Sequence, residues 1–183
     1  FIKLLSTASD LPVGKAFVPG CGRGYAVAEL CRRGYDATGL DIAPTAVKAA
    51  NDYLASGEES GIQGRPWRVV AEDFFQHEGT YDLIYDCTFL CALPPELRTS
   101  WASKCAELLK PKGELVTLIF PVADPPYEGG PPFCMSPQLV TDLLKPAGFE
   151  PLSMSEVPEA DLARSNRGLA GSKEYIARWR HGA

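Results

Sequence analysis

The chain has 183 residues, of which 45% are hydrophobic and 22% are charged, and its formal net charge is −5. These values are typical of a globular protein, and the length is enough for one domain, 1–183, with a sizeable core. Nucleic-acid-binding proteins usually carry a basic patch, and none is visible here. The longest apolar stretch, LVTLIF at 115–120, is far too short to span a bilayer. We therefore expect a monomer that binds a small molecule and neither nucleic acid nor a membrane.

Cysteine usage and the N-terminus bear on the compartment. The six cysteines include no CxxC pair, and no histidine cluster completes a zinc site, so we expect reduced core cysteines and no metal. No signal-peptide pattern opens the chain, which favours a cytoplasmic protein. The first residue is Phe1 rather than Met, so we expect that an upstream segment has been removed or is not represented.

Strand-like and helix-like stretches alternate along the chain. Apolar runs predict strands at 15–19, 35–42, 67–73, 81–86 and 114–120, and the intervening patterns predict helices at 25–33, from Pro44, at 94–110 and at 136–148. The helix at 94–110 should bury one apolar face formed by Leu97, Trp101, Cys105, Leu108 and Leu109. Only a polar loop separates the last two predicted strands, 149–157 and 173–180, so they should pair as an antiparallel hairpin. The predicted fold is a Rossmann-like, doubly wound α/β fold whose seven-stranded, mostly parallel sheet ends in that hairpin.

Three glycines follow the first predicted strand at alternate positions, in the stretch VPGCGRGY. Gly20, Gly22 and Gly24 would let a ligand approach the main chain closely and let the chain turn into the next helix. Their G-x-G-x-G spacing fits the dinucleotide fingerprint G-x-G-x-x-G poorly, and no GK[ST] follows as in a phosphate-binding P-loop. A nicotinamide oxidoreductase is therefore disfavoured.

Acidic residues end the next two strands. Asp41 closes the second strand, where a carboxylate can accept hydrogen bonds from both ribose hydroxyls of a nucleotide. Asp73 closes the third, placed to accept from an adenine amino group, with the Phe74 backbone N–H nearby as a donor. Because the carboxyl ends of parallel strands share one edge of the sheet, these residues and the glycines should face one crevice.

This set resembles class I S-adenosylmethionine (SAM)-dependent methyltransferases. The stretches VPGCGRGY, GLDIAPTAV, EDFF, YDLIYDCTFLCALPPELRTSW and GGPPF narrow the resemblance to the thiopurine methyltransferase-like superfamily, and within it to the halide and thiol methyltransferase branch. The resemblance covers roughly residues 13–150. It implies that SAM binds at Pro19, Gly20, Gly22, Gly24, Asp41, Ile42, Asp73, Phe74 and Asp86, and that S-adenosylhomocysteine (SAH) is the product.

The resemblance also places the acceptor. Asp86, at the end of the fourth strand, is implied as a catalytic residue that borders the SAM methionine, although a structural cap is an equal alternative. Phe89 follows it, and its alternative is plain core packing. The proline-rich loop 121–135 is implied to line the acceptor pocket, with Phe133 as the catalytic contact and Tyr127 beside it, and Arg164 in loop 158–172 is a further candidate. Family members carry a tryptophan-rich N-terminal lid, and nothing like it precedes residue 13.

The expected reaction is methyl transfer to a small soft nucleophile: a thiol, bisulfide, thiocyanate or a halide. Such anions need little help from a base, and neither His77 nor His181 falls at a strand's carboxyl end beside the glycine loop. Two alternatives stay open. One is a methyltransferase for a larger thiol or oxygen acceptor, and the other is a SAM-binding partner subunit without turnover.

Overall fold

A single twisted sheet organises the structure, a computed structural model that describes residues 2–8, 10–57, 60–122, 129–162 and 173–182. Its seven strands lie in the order β3-β2-β1-β4-β5-β7-β6, and β7 runs antiparallel to both of its neighbours while the other pairs are parallel. The predicted fold class is therefore confirmed. The strands are β1 Lys15–Pro19, β2 Asp36–Asp41, β3 Trp67–Ala71, β4 Tyr81–Cys87, β5 Leu109–Val122, β6 Phe149–Glu156 and β7 Lys173–His181.

Helices cover both faces of the sheet because successive apolar side chains of a strand point to opposite faces, and both faces must be buried. In β1, Ala16 and Val18 join one buried cluster, and Phe17 joins the cluster on the opposite face. Side chains of α1–α3 pack in the first cluster and those of α4 and α5 in the second. The helices are α1 Ile2–Thr7, α2 Tyr25–Arg32, α3 Pro44–Ala55, α4 Arg98–Leu108 and α5 Pro137–Leu144.

The terminal hairpin forms as expected, but its second strand, β7, is an inner strand of the sheet. β7 pairs with both β5 and β6, which leaves β6 at the edge of the sheet. The burial of the two strands explains this order. β7 carries Ala177 and Trp179, which are buried, whereas most side chains of β6 are exposed and tolerate an edge position.

The helix expected at 94–110 differs at both ends. A turn of 3-10 helix spans Pro95–Leu97, α4 begins at Arg98, and Leu109 already belongs to β5, where it pairs with Tyr81. The apolar face was predicted incorrectly at its start, since Leu97 is 36% exposed and Arg98 occupies the buried face in its place. Helix α1 was not predicted, because six residues are too few for a periodic signal.

A buried ion-pair cluster joins β5 to β7 near the amino ends of the parallel strands, away from the glycine loop. Glu114 is fully buried, and its carboxylate accepts hydrogen bonds from Arg178 Nε at 2.9 Å and Arg180 Nη2 at 2.8 Å. Arg178 also pairs with Asp10, 2.9 Å away. The guanidinium groups thus neutralise a carboxylate that burial would otherwise make costly.

Candidate active site

The three loop glycines all adopt left-handed backbone angles, with φ of 58°, 53° and 79°, but their surroundings differ. A Cβ on Gly20 would lie 2.6 Å from Cδ2 of Phe89, and a Cβ on Gly24 would lie 3.2 Å from Cβ of Ala50 on α3. Around Gly22 nothing lies within 4 Å of the Cβ position. Gly20 and Gly24 therefore admit neighbouring protein groups, and Gly22 leaves open space beside the main chain.

Asp41 ties the end of β2 to this loop. Its Oδ2 accepts the Gly22 N–H at 3.0 Å and its Oδ1 accepts the Ala43 N–H at 2.9 Å. The next side chain, Ile42, is 74% exposed, which is unusual for a large apolar residue beside a sheet. Burial, with a smaller contribution from Asp41, raises the pKa of the neighbouring Cys21 thiol to about 12, so that thiol stays protonated. The loop thus presents a carboxylate, an exposed apolar side chain and open main chain together.

The end of β3 adds a second carboxylate at this edge of the sheet. Asp73 is exposed, and its Oδ1 accepts the Phe75 N–H at 3.0 Å, which starts a 3-10 turn over Phe74–Gln76. Phe74 itself is buried, with its ring centroid 5.0 Å from that of Phe89. The Glu72 N–H donates to the Asp41 carbonyl at 3.3 Å, so the two strand ends stay in register.

Asp86 points into the protein. Its carboxylate is 1% exposed and accepts hydrogen bonds from the backbone N–H groups of Phe89 and Leu90 and from Trp101 Nε1 at 2.9 Å. Burial raises the pKa of this carboxyl to about 6, and the hydrogen bonds lower it in part. With 1% of its surface exposed, this side chain has little surface left for a contact with a ligand. Its hydrogen bonds fix the turn after β4 to α4, as the structural-cap alternative expects.

The turn that carries Phe89 and the chain that carries Phe133 lie side by side at this edge of the sheet. The Phe133 N–H donates to the carbonyl of Cys91 at 2.7 Å, which holds the chain after β5 against the turn after β4. Both rings are half-buried, whereas Cys91 is buried, as expected for a core thiol. We call Phe89 and Phe133 the aromatic corner. The other candidate acceptor residues, Tyr127 and Arg164, lie outside the described residues.

Arg98 is a residue of this region that sequence reasoning missed. Its side chain is 7% exposed, and its guanidinium carbon lies 5.8 Å from the centroid of the Phe133 ring. Its Nε is buried and has no hydrogen-bond partner. A signal was present in the sequence, because Arg98 precedes Trp101 by three residues and Cys105 by seven and so shares their helix face.

Both histidines have contacts of their own elsewhere on the sheet. His77 is buried between Glu72, 2.6 Å from its Nδ1, and the hydroxyl of Tyr81, 2.8 Å from its Nε2. His181 ends β7, at the sheet edge opposite the glycine loop. Within the described part of the chain, no group of His, Cys, Asp or Glu side chains could hold a metal ion, and no helix is long and apolar enough to cross a membrane.

The fold is that of class I SAM-dependent methyltransferases. Magnesium protoporphyrin IX methyltransferase from Synechocystis PCC 6803, solved with bound SAM, aligns with a TM-score of 0.74 at 19% identity, over 99% of this chain and 76% of that one. A SAM-dependent methyltransferase from Methanosarcina mazei aligns with a TM-score of 0.78 at 17% identity, over 98% and 97% of the two chains.

Sequence comparison is more specific. The model of the thiopurine S-methyltransferase (TPMT) family matches residues 1–182, so the chain belongs to that family and is a SAM-dependent methyltransferase. Thiocyanate methyltransferase 1 of Arabidopsis thaliana is 38% identical over 96% of this chain and 73% of its own length. Probable thiol methyltransferase 2 of the same plant is 37% identical over 97% and 74%. A 2-heptyl-1-hydroxyquinolin-4(1H)-one methyltransferase of Mycobacteroides abscessus is 31% identical over 69% and 55%.

Proposed function

We propose that this protein transfers the methyl group of SAM to a small soft nucleophile: a thiol, bisulfide, thiocyanate or a halide. The observation that carries the proposal is that Phe89 of the aromatic corner lies against Gly20 of the glycine loop, while the buried His77 is held by Glu72 and Tyr81. Relatives named as thiocyanate and thiol methyltransferases support the same acceptor class.

The edge of the sheet fits SAM at several points. The open main chain at Gly22 suits the methionine part, and the Asp41 carboxylate suits the ribose, because each of its oxygens can accept a further hydrogen bond. Ile42, with its exposed side chain, can cover the adenine. Asp73 would accept a hydrogen bond from the adenine amino group, and the Phe74 N–H would donate one to a ring nitrogen. In this proposal Gly20, Gly24 and the buried Pro19 shape the loop and make no side-chain contact with SAM.

The chain's own residues then align and shield the reactants. When bound, SAM supplies a methyl carbon that its sulfonium sulfur already activates. A thiolate or halide attacks as the anion, so the protein needs to align it and exclude water more than to remove a proton. Phe89 and Phe133 provide an apolar wall for this purpose, and Asp86 keeps the turn that carries Phe89 in place.

The test is transfer of label from methyl-labelled SAM to iodide, thiocyanate, bisulfide and several organic thiols, offered in parallel. We expect labelled volatile or extractable product with at least one of them. Phe133→Ala should change the ranking of acceptors and leave the SAH dissociation constant within about twofold of the wild-type value. Leu152→Ala, which shortens an exposed side chain on β6, is the matched control and should change neither.

A larger acceptor is the second candidate, because a relative is named as a heptyl-hydroxyquinolinone methyltransferase. Transfer to an alkyl-quinolone or aryl thiol, and to none of the small anions, would favour it. Bound SAH with no transfer to any acceptor would favour the partner subunit without turnover instead.

We also propose that residues 1–183 act as one domain in a cytoplasmic monomer. All six cysteines lie within the described residues and carry thiols rather than disulfides, which suits a reducing compartment, and one sheet joins the two buried clusters. Light scattering of the purified protein tests the monomer, and a dimer mass would contradict it.

A further inference from the structure

Arg98 carries a buried positive charge that the described residues do not neutralise. The side chain is 7% exposed, its Nε lacks a hydrogen-bond partner, and no carboxylate among the residues whose placement is described forms an ion pair with it. Burying a charge is costly unless the charge is paired, which is why buried arginines normally face a carboxylate or a bound anion. Arg178, a buried arginine on β7, has such carboxylate partners in Glu114 and Asp10.

The position on the helix makes this charge costlier still. Arg98 is the first residue of α4, and the helix has no acidic residue in its first turn. The positive end of the helix dipole disfavours a cation at that place. Burial lowers the pKa of the guanidinium from its usual value. Within the described part of the chain, no ion pair and no hydrogen bond of Nε accounts for an arginine at this position.

The guanidinium lies against the aromatic corner. Its carbon is 5.8 Å from the Phe133 ring centroid, and the thiols of Cys91 and Cys134 are the nearby titratable groups. Trp101, one turn further along α4, donates its indole N–H to the Asp86 carboxylate at 2.9 Å. This hydrogen bond fixes the rotation of α4 about its axis and so keeps Arg98 on the side of Phe133. A cation–π contact contributes about 0.5–2 kcal/mol, which is less than the several kcal/mol that burial of an unpaired charge costs. Among the described residues no carboxylate supplies the missing negative charge, and a bound anion can supply it.

We propose that Arg98 supplies the positive charge that binds and selects a monovalent soft anion as methyl acceptor at the aromatic corner. This inference rests on the proposed function, because that function defines the acceptor. The guanidinium attracts thiocyanate, bisulfide, iodide or an organic thiolate and gives no such advantage to a neutral acceptor. It takes no part in bond making, so its effect falls on anion affinity.

The first test measures binding without turnover. Equilibrium dialysis of labelled thiocyanate or iodide in the presence of saturating SAH gives the anion's dissociation constant. We expect Arg98→Gln to raise that constant at least tenfold and Arg98→Lys to raise it less, because lysine keeps the charge. Arg65→Gln is the matched control, since it removes the same charge from an exposed position before β3 and should have no effect. The dissociation constant of SAH should stay unchanged in all three variants.

The second test compares an anionic with a neutral acceptor during turnover. In Arg98→Gln the KM for thiocyanate should rise at least tenfold, while the KM for dimethyl sulfide, which is neutral, should not change. If Arg98→Gln does not fold, the wild-type protein still provides a test. Perchlorate, an anion that is not a nucleophile, should then inhibit competitively with thiocyanate, and a lack of competition would overturn the inference.

The outcomes separate this inference from the proposed function. Anion binding that depends on Arg98, without methyl transfer to any small acceptor, would support the anion site and refute the proposed function. Wild-type protein that binds no anion in the presence of SAH would overturn the inference even if transfer occurred. Equal increases in KM for thiocyanate and dimethyl sulfide would also overturn it, because Arg98 would then be a structural residue alone.

Discussion

Replacing Asp41 by Asn should weaken SAH binding by a predictable amount. The carboxylate already accepts the N–H groups of Gly22 and Ala43, at 3.0 and 2.9 Å, and we propose that it also accepts the ribose hydroxyls. Asn keeps one acceptor oxygen and turns the other into a donor, so one hydrogen bond to a charged group is lost. Such a bond contributes about 1.5–3 kcal/mol, which corresponds to roughly a 10- to 150-fold higher dissociation constant.

Isothermal titration calorimetry with SAH measures this change, and Asp36→Asn is the control. Asp36 begins the strand that Asp41 ends, is exposed, and undergoes the same change of charge at the opposite edge of the sheet. An SAH analogue without ribose hydroxyls separates ribose contacts from loop disorder, because it should bind the wild type and Asp41→Asn with nearly equal affinity. A wild-type dissociation constant in Asp41→Asn, or an undiminished difference between the proteins with the analogue, would refute the placement of the ribose.

Three further predictions concern stability. Gly20→Ala should lower the free energy of unfolding by about 2 kcal/mol or more in urea titrations, because the left-handed backbone disfavours a Cβ and that Cβ would lie 2.6 Å from the Phe89 ring; a loss below 0.5 kcal/mol would contradict this packing. The folded-state pKa of Asp86 is raised from 3.8 to about 6, so between these pH values the folded protein binds more protons than the unfolded one and its stability falls as pH rises, by roughly 3 kcal/mol. The stability of Asp86→Asn relative to wild type should therefore increase from pH 4 to pH 7. A difference that stays constant would show that the carboxyl titrates normally. Glu114→Gln should cost about 3 kcal/mol at pH 7, near the lower limit for a broken buried ion pair because Arg178 keeps Asp10; an unchanged urea midpoint would mean that the cluster contributes nothing.

Much of the site could be predicted because it lies at strand ends. Gly22 follows β1 and Asp41 closes β2, and the apolar run of each strand predicts it. Parallel strands bring their carboxyl ends to one edge of the sheet. Phe133 was reached through family resemblance, and the structure places it against the turn after β4. Local pattern and chain order together were enough for these residues.

Other features depend on contacts between distant parts of the chain. Gly20 lacks a side chain because the Phe89 ring occupies that space, and no spacing within the glycine loop reports it. Asp86 lies near the end of β4 as Asp41 lies at the end of β2, yet the Asp86 carboxylate accepts a hydrogen bond from the buried Trp101.

By itself, then, the sequence determined the alternation of strands and helices, the parallel sheet and the edge at which the ligands should bind. These follow from hydrophobic periodicity and glycine and proline signals, which act over a few residues. Only the tertiary structure decided that β7 lies inside the hairpin and that Arg98 is buried beside Phe133. Burial and charge pairing depend on which side chains from distant segments surround a group, and periodicity along one helix or strand does not contain that information.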